Sequence, residues 1–346
     1  MKKRRSTFPS TLGSVSTAHS ITTRRLAKIL VVLHLWQIAV PSSLAYAQDL
    51  TVTPDRSAPA GQRPLMDAAP NGVPLVHIAP PSAGGVSRNQ YEQFSVNPNG
   101  VILNNATSET QTQLGGWVST NVQLGPSPAR VILNEVTSTQ PSQLRGVIEV
   151  AGHRADIVLA NPNGITCDGC GFLNSPRATL STGAPQFDAN GVFNGLDVRQ
   201  GEIMVGSGGL AAANVEQLDL IARGLVIEGE VWTQNLNALA GANHVLYGTL
   251  QAIPQTGTGN APRFAIDIKN LGGMYANKIF MVATEKGFGV NSSGRLAALQ
   301  GNLHLSANGD LTLSDTRAQT DLALSAQDNL TLTGTTGSGA NSAIDA

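Results

Sequence analysis

The sequence predicts an all-β fold, a solenoid of the parallel β-helix type, and a repeat near its end carries most of this prediction. Leu303–Ala307 recurs 19 residues later as Leu322–Ala326, and Leu311–Leu313 recurs at the same offset as Leu330–Leu332. A fixed period of about 20 residues with two L-x-L strands per repeat is typical of coils that bury their inward side chains only by stacking. The alternative is a β-sandwich with coincidental leucines, but a sandwich does not enforce a fixed period.

Composition and local pattern agree with this fold. Of 346 residues, 13% are charged, 41% are hydrophobic and 37 are glycine, so the chain has ample apolar content for a core and many turns. After Gln48 no apolar spacing of 3.6 residues persists for three turns, so almost no helix is expected. Four short apolar strands, which suit burial on both faces or at a cap, are Val101–Leu103, Val131–Leu133, Val147–Val150 and Ile157–Leu159. Later strands such as Leu218–Leu220 alternate polar and apolar residues.

Residues 1–47 are interpreted as a cleaved signal peptide. A basic segment of 28 residues precedes an apolar run at Ile29–Val40, and Ala45–Ala47 forms an A-x-A site that places cleavage between Ala47 and Gln48. The apolar run is shorter than the roughly 20 residues that span a bilayer, which disfavours a retained anchor. Removing seven basic residues leaves 15 basic against 23 acidic residues, a net charge of −8. An acidic chain with so few lysines argues against nucleic-acid binding.

The mature chain opens with a proline-rich segment. Seven prolines between Gln48 and Ser87 exclude a long strand or helix there and predict an extended lead-in, with one short edge strand at Val73–Ile78. We divide the remainder into residues 48–300, of which 48–90 form the lead-in and cap, and residues 301–346. The second part is interpreted as the start of a repeat region that is truncated after two visible repeats.

Two copies of one corner interrupt the predicted strands. Asn97-Pro98-Asn99-Gly100 follows a β-type run, and Asn161-Pro162-Asn163-Gly164 follows Ile157–Leu159 and leads into a strand at Ile165. Proline sets φ for a turn, and asparagine and glycine tolerate the positive φ that ends one. Both tetrapeptides are therefore expected to be tight turns between strands.

Cys167 and Cys170 lie after the signal peptide, so an oxidising compartment allows them to form a disulfide. Its small loop would fix a local bend. There are three alternatives to a disulfide. A zinc site would need two more ligands, and the sequence has no second CxxC motif or His pair to supply them. A redox motif would need a helix that begins after the first cysteine, and Gly169 and Gly171 disfavour a helix there. Free thiols are the third.

The sequence offers no catalytic constellation. Four carboxylates are candidates by location only, and each is better explained as a turn residue: Asp156, Asp168, Asp188 and Asp197. The histidines of the mature chain have no ligand spacing: His77, His153, His244 and His304. Gly206–Gly209 follows a strand but has no helix after it, which disfavours phosphate binding. We expect no enzyme, cofactor or metal site. A β-helical polysaccharide lyase is the enzymatic alternative.

From about Gly61 to Leu299 the chain resembles the secretion domain of bacterial two-partner secretion exoproteins of the filamentous haemagglutinin, haemolysin and contact-dependent-inhibition type. The matching motifs are the NPNG corners at Asn97 and Asn161, the CDGCGF run at Cys167, GGMYA at Gly272 and TEKG at Thr284. The chain departs at Gly100, where much of the family has leucine. The resemblance implies a right-handed parallel β-helix with an N-terminal β cap and small extra-helical β elements.

The resemblance also implies a function. An outer-membrane β-barrel transporter of the TpsB type would bind the domain through its periplasmic POTRA domains, with the two corners and Ile165 acting as secretion motifs or as turns that nucleate folding. The protein would be secreted or displayed on a Gram-negative cell after passing the periplasm. The longer product would be a filamentous haemagglutinin-like adhesin that contacts host or bacterial surface receptors. The alternatives are a haemolysin or an inhibition toxin, which the cysteine pair favours.

Overall fold

The structure is a computed structural model that describes residues 51–125 and 127–346. The predicted signal peptide and its cleavage site at Ala47 and Gln48 lie outside the described residues. Within those two ranges the helical content is one 3-10 turn at Ala60–Gln62, and no helix there could cross a membrane. All other regular structure in these ranges is β-strand, as the lack of helical periodicity predicts.

Three long sheets wind together as a parallel β-helix. Sheet I contains β1 (Val52–Pro54), β4 (Val86–Phe94), β8 (Val131–Val136), β11 (Asp156–Ala160), β14 (Arg177–Ser181), β19 (Gln217–Ala222), β22 (Asn235–Ala240), β27 (Lys278–Ala283), β30 (Leu303–Ala307), β33 (Leu322–Ala326) and β36 (Ser342–Asp345). Sheet II contains β2 (Leu65–Ala68), β3 (Pro74–His77), β5 (Val101–Asn105), β10 (Val147–Gly152), β13 (Cys170–Leu173), β18 (Leu210–Ala212), β21 (Glu230–Thr233), β26 (Gly273–Ala276), β29 (Arg295–Ala298), β32 (Thr316–Ala318) and β35 (Thr336–Ser338). Sheet III contains β9 (Ser142–Leu144), β12 (Ile165–Cys167), β17 (Glu202–Val205), β20 (Gly224–Ile227), β25 (Ile266–Ile268), β28 (Val290–Ser292), β31 (Leu311–Leu313) and β34 (Leu330–Leu332).

The predicted repeat sets the register of the last coils. Leu303 pairs with Leu322 and Leu311 pairs with Leu330, each in parallel strands and at the 19-residue offset. Inward side chains form continuous ladders, such as Ile203, Leu225 and Ile266 in sheet III, which are fully buried. Each coil therefore extends the core by stacking its aliphatic side chains on those of the previous coil.

The first coil is closed by antiparallel strands. In sheet I, β1 pairs antiparallel with β4, and in sheet II, β2 pairs antiparallel with β3. The predicted edge strand at Val73–Ile78 corresponds to β3, but β2 covers it, so β3 is not the edge. The proline-rich lead-in forms this N-terminal cap. The sheets continue without interruption from β27 through β30 to β33, so the division at residue 300 stays a prediction.

Two small antiparallel sheets lie outside the β-helix. Sheet IV contains β15 (Ala184–Phe187), β16 (Phe193–Val198), β23 (Asn243–Leu246) and β24 (Ala252–Pro254), and sheet V contains β6 (Thr110–Thr112) and β7 (Gly116–Val118). Sheet IV covers the outward side chains of sheet I, including Leu133 and Val158, and sheet V covers Ile102 of β5. Val101–Leu103 and Ile157–Leu159 are buried on both faces for this reason, as their sequence predicted, whereas Val131 and Val147 are only partly buried.

Candidate functional site

The second NPNG corner is a buried turn between sheets I and III. Asn161 is fully buried, and its backbone N–H donates to the carbonyl of Ser181 at 2.9 Å. Its side-chain Nδ2 donates to the carbonyl of Gln140 at 2.9 Å and to the Ser142 hydroxyl at 3.0 Å, while its Oδ1 accepts from the Asn163 N–H at 3.0 Å. The side chain therefore joins its own coil to the previous coil and closes its own turn, while the backbone N–H reaches the next coil.

The other residues of this corner continue the same network. Asn163 Nδ2 donates to the carbonyl of Ser138 at 2.8 Å, and Gly164 adopts a φ of 109° that favours glycine. Pro162 is half-buried, since Gly201 of the next coil lies against its carbonyl. Ile165 then turns inward and is buried at the start of β12. The residue types at this corner are explained by the fold.

The first NPNG corner has the same turn with an open outer side. Asn97 Oδ1 accepts from the Asn99 N–H at 2.9 Å, and the Asn97 carbonyl accepts from the Gly100 N–H at 2.9 Å. Pro98 and Asn99 are both exposed. Gly100 has a φ of 86°, and a Cβ there would lie 2.6 Å from the carbonyl oxygen of Val147. This corner has no room for the leucine that much of the family carries.

The two corners occupy different positions in the coil. Val96, just before the first corner, forms a parallel bridge with Leu144 of sheet III, so that corner joins sheets III and II. The second corner instead joins β11 of sheet I to β12 of sheet III. The two identical tetrapeptides thus form the same type of turn, but they lie at different corners of the coil and do not correspond to each other in a repeat.

Cys167 and Cys170 lie at the corner that follows β12, stacked in the same column as the first NPNG turn. Their sulfur atoms form a disulfide, and both side chains are buried. Asp168 between them accepts a hydrogen bond from the Gly208 N–H at 2.7 Å, and Gly169 has a φ of 83°. The bond thereby fixes the bend between sheets III and II. Among residues 51–125 and 127–346, no group of three or more His, Cys, Asp or Glu side chains could hold a metal ion.

A family model described as the TPS secretion domain matches residues 50–313 of the chain. The chain belongs to this family. The TPS domain is also similar to the solved filamentous hemagglutinin secretion domain, with a TM-score of 0.78 and 32% identity, over 85% of this chain and 99% of that chain. This likeness and the observed sheets confirm the predicted β-helix and the predicted family.

The chain is also similar to curated relatives over most of its length. It is 46% identical over 270 residues to the tRNA nuclease CdiA of Yersinia mollaretii, covering 78% of this chain and 9% of the relative. It is 41% identical over 321 residues to the 16S rRNA endonuclease CdiA of Enterobacter cloacae, covering 92% of this chain and 9% of the relative. The chain spans less than a tenth of the length of these relatives.

The four aspartates considered as catalytic candidates in the TPS domain each have a structural partner. The prediction that all four are turn residues is wrong for Asp156 and Asp197, which lie in strands β11 and β16. Asp188 accepts from the Asn190 and Val192 N–H groups in a turn, and Asp197 pairs with Arg199 at 2.9 Å. Asp168 caps the cysteine turn. Asp156 accepts from the Tyr247 hydroxyl at 3.2 Å, and its burial raises the pKa of that carboxyl. These contacts account for all four residues without a reaction.

Sequence reasoning missed a buried polar cluster between sheets I and IV. Arg177 Nε donates to Asp219 Oδ2 at 2.6 Å, and the guanidinium lies over the Tyr247 ring at 4.0 Å. Asp219 also accepts from Thr179 at 3.0 Å and from Asn237 at 2.8 Å. Alternation in Leu218–Leu220 places Asp219 outward, but nothing in that strand indicates that a second sheet covers it.

Proposed function

We propose that this TPS domain directs export of its chain through a partner transporter. The transporter is an outer-membrane β-barrel of the TpsB type, and its periplasmic POTRA domains bind the domain before it folds. The protein then reaches the surface of a Gram-negative cell or the medium by way of the periplasm. The match of the TPS secretion domain to residues 50–313 carries this proposal.

The order of the strands supports folding during export. In sheets I and II each parallel strand pairs with the strand of the previous coil and of the next coil, in the order in which the chain supplies them. A coil can therefore form as soon as it has left the transporter, because it needs only the coil before it. Each added coil buries a set of leucine and isoleucine side chains, at about 0.8 kcal/mol per CH₂ before the entropy of ordering is subtracted. Folding outside would thus favour net outward movement.

We assign different roles to the two corners. The buried Asn161 side chain joins two coils and closes its own turn, so the second corner, Asn161 to Ile165, serves folding. The first corner exposes Pro98 and Asn99 beside a cleft of about 200 Å³ that Val52, Met66 and Val96 help to line. We assign this corner to transporter contact, because the folded coils do not need the exposed side chains of Pro98 and Asn99, so a structural role does not account for these two residue types.

The longer protein is proposed to be a toxin of the contact-inhibition type. The two relatives above are named as a tRNA nuclease CdiA and a 16S rRNA endonuclease CdiA, and each alignment covers only 9% of the relative. We therefore place any catalytic activity outside the TPS domain. A filamentous haemagglutinin-like adhesin that binds surface receptors is the second candidate, and the likeness to the filamentous hemagglutinin secretion domain favours it.

Secretion of a tagged precursor tests the proposal. The protein is expressed with and without a cognate transporter, and the medium, cell surface and periplasm are assayed. We expect the protein in the medium or on the surface only when the transporter is present. Release without the transporter, or folded protein that accumulates in the periplasm with it, would refute the proposal.

Three single substitutions separate contact from folding. Asn99 donates and accepts no side-chain hydrogen bond in the described part of the chain, so Asn99→Ala should leave stability unchanged and lower secretion. Asn161→Ala should lower both. Asn190→Ala, in an exposed turn of sheet IV, is the matched control and should change neither. Normal secretion of Asn99→Ala would refute the contact role of the first corner.

A further inference from the structure

A row of outward-facing side chains crosses five coils of sheet II. The register pairs Trp232 with Tyr275, Tyr275 with Ala297, Ala297 with Arg317, and Arg317 with Gly337. Neighbours in such a row are about 4.8 Å apart, because that is the spacing of hydrogen-bonded strands. Two aromatic rings, a methyl group, a guanidinium group and a glycine therefore follow one another along one exposed face.

The aromatic end of the row is rigid. The rings of Trp232 and Tyr275 stack with their centroids 4.4 Å apart and their planes 13° apart. Trp232 Nε1 donates to Glu230 Oε2 at 2.8 Å, which fixes the indole, although the residue is 40% exposed. Since Trp232 covers one face of the Tyr275 ring, the other face looks along the row towards Ala297. The stack thus ends in an uncovered aromatic face.

The small side chain of Ala297 leaves a gap next to that face. Two strand spacings, about 10 Å, separate Tyr275 from Arg317, and the position between them carries only a methyl group. The gap is part of an open groove of about 730 Å³ whose walls include Arg295, Leu299 and Arg317. The gap between Tyr275 and Arg317 is wide enough for one six-membered ring of a ligand.

The polar groups of the groove can be recruited by a ligand. Arg295 and Asp315 are 3.6 Å apart, and their side chains are 61% and 50% exposed, so this pair is weak and each partner can bind another group. Arg317 is exposed and has no hydrogen bond or ion-pair partner among the described residues. Arg295 lies against Asp315, and the Glu230 carboxylate is held by the Trp232 indole, so the Arg317 guanidinium, unpaired among the described residues, is the group in the groove that is left to bind an anion.

We propose that this groove binds an acidic saccharide, with one carboxylated pyranose ring in the gap beside Tyr275. The apolar face of the sugar ring would stack on the tyrosine, and its carboxylate would take two hydrogen bonds from the Arg317 guanidinium. Asp315, Thr335 and Ser338 line the same groove and supply partners for ring hydroxyls. Donors and acceptors around one stacking face favour a hydroxyl-rich ring over an aromatic side chain of a peptide.

The outer face of sheet I provides an internal control. Phe280 stacks on His304 with ring centroids 5.1 Å apart, and Phe280 is 38% exposed. The next two positions of that row are Ala323 and Ala343, so no arginine follows the aromatic pair. A site that needs only stacked rings would be present on both faces. A site that needs the guanidinium would be present on sheet II alone.

Binding of small saccharides to the secreted protein tests the proposal. Titration calorimetry and saturation-transfer NMR would compare 6′-sialyllactose and trigalacturonate, which separate sialic from uronic acids, with neutral lactose. We expect millimolar or tighter binding of at least one acidic saccharide and at least about tenfold weaker binding of lactose. Arg317→Gln and Tyr275→Ala should each weaken binding about tenfold, since a charge-assisted contact or a stacking face is lost. Ala297→Phe should abolish it by filling the gap.

Phe280→Ala should leave the affinity unchanged. Arg317→Gln alters an exposed side chain and keeps the fold. It therefore tests whether the groove binds an acidic saccharide even if Tyr275→Ala does not fold. The proposal is overturned if neither acidic saccharide binds at millimolar concentration, if lactose binds as well as they do, or if Phe280→Ala weakens binding as much as Arg317→Gln. Stronger binding of N-acetyltryptophan amide than of both acidic saccharides would overturn it in favour of a peptide. Secretion of all these variants should be normal, which keeps this test separate from the transporter proposal.

Discussion

Arg177 and Asp219 form an ion pair at 2.6 Å, and the aspartate side chain is completely buried between sheets I and IV. Removing the arginine leaves a buried carboxylate without its counter-charge. We expect Arg177→Met to lower the free energy of unfolding by about 3–5 kcal/mol, measured by urea denaturation. The double substitution Arg177→Met with Asp219→Asn should recover part of this loss, because no uncompensated charge remains.

The exposed pair Arg154 and Glu216, 3.1 Å apart, is the control for this prediction. Arg154→Met should lower the free energy of unfolding by less than about 1 kcal/mol, because water screens an exposed pair. An Arg177→Met protein as stable as Arg154→Met would contradict the structural role given to the buried cluster.

Stability should depend on pH through Glu285. Arg223 donates two hydrogen bonds to its carboxylate, at 2.7 and 3.1 Å, and these hold the pKa of Glu285 below its ordinary value of 4.5. The pair therefore stabilises the fold fully above pH 4.5, and this contribution is lost as the pH falls towards the lowered pKa. The difference in unfolding free energy between the native chain and Glu285→Gln should narrow on acidification. A difference that does not vary with pH would refute this, and Glu216→Gln is the exposed control.

Asn161→Ala should destabilise the domain by about 2–3 kcal/mol. The substitution removes both donors to Gln140 and Ser142 and the acceptor for Asn163, in a site that water cannot reach. Asn97→Ala removes one bond to the Asn99 N–H at a half-exposed position and should cost about 1 kcal/mol. Urea denaturation of both variants measures the difference. Equal losses would show that burial does not distinguish the two corners.

Loss of the disulfide should have a small and local effect. The bond closes a loop of only four residues, for which chain entropy predicts about 2 kcal/mol of stabilisation. The double substitution Cys167→Ala with Cys170→Ala should lower the free energy of unfolding by about this amount and leave the circular dichroism spectrum unchanged. A loss of the spectrum would show instead that the bond is required to form the coils.

The periodic parts of the chain could be predicted from sequence, because a stacked coil repeats its environment. Leu303 and Leu322 meet the same neighbours one coil apart, so one spacing in the sequence fixes their pairing in space. The apolar triplets also indicated burial on both faces. They could not indicate what covers the outer face, because that depends on segments that lie outside the repeat.

Sheet IV shows this limit. Its strands Ala184–Phe187 and Phe193–Val198 follow no period. The second of them pairs with Asn243–Leu246, which the chain supplies two coils later. The burial of Asp219 follows from that sheet and is invisible in the alternation of its own strand. The corners show a related limit, since turn chemistry at Asn97 and Asn161 fixes local geometry but not the position of each turn in the coil.

Sheet IV is built from strands that lie far apart in the sequence, and this delays the completion of folding. Leu133 and Val158 enter their coils early, yet Val245, which helps to cover them, lies 112 residues after Leu133 and 87 residues after Val158. A chain that is exported N-terminus first therefore has an incompletely covered apolar face on sheet I until that segment has also been exported. The number of residues between these coils and the segment that covers them thus sets how long the exposed apolar surface can aggregate with other chains. Slower export of the chain lengthens that interval.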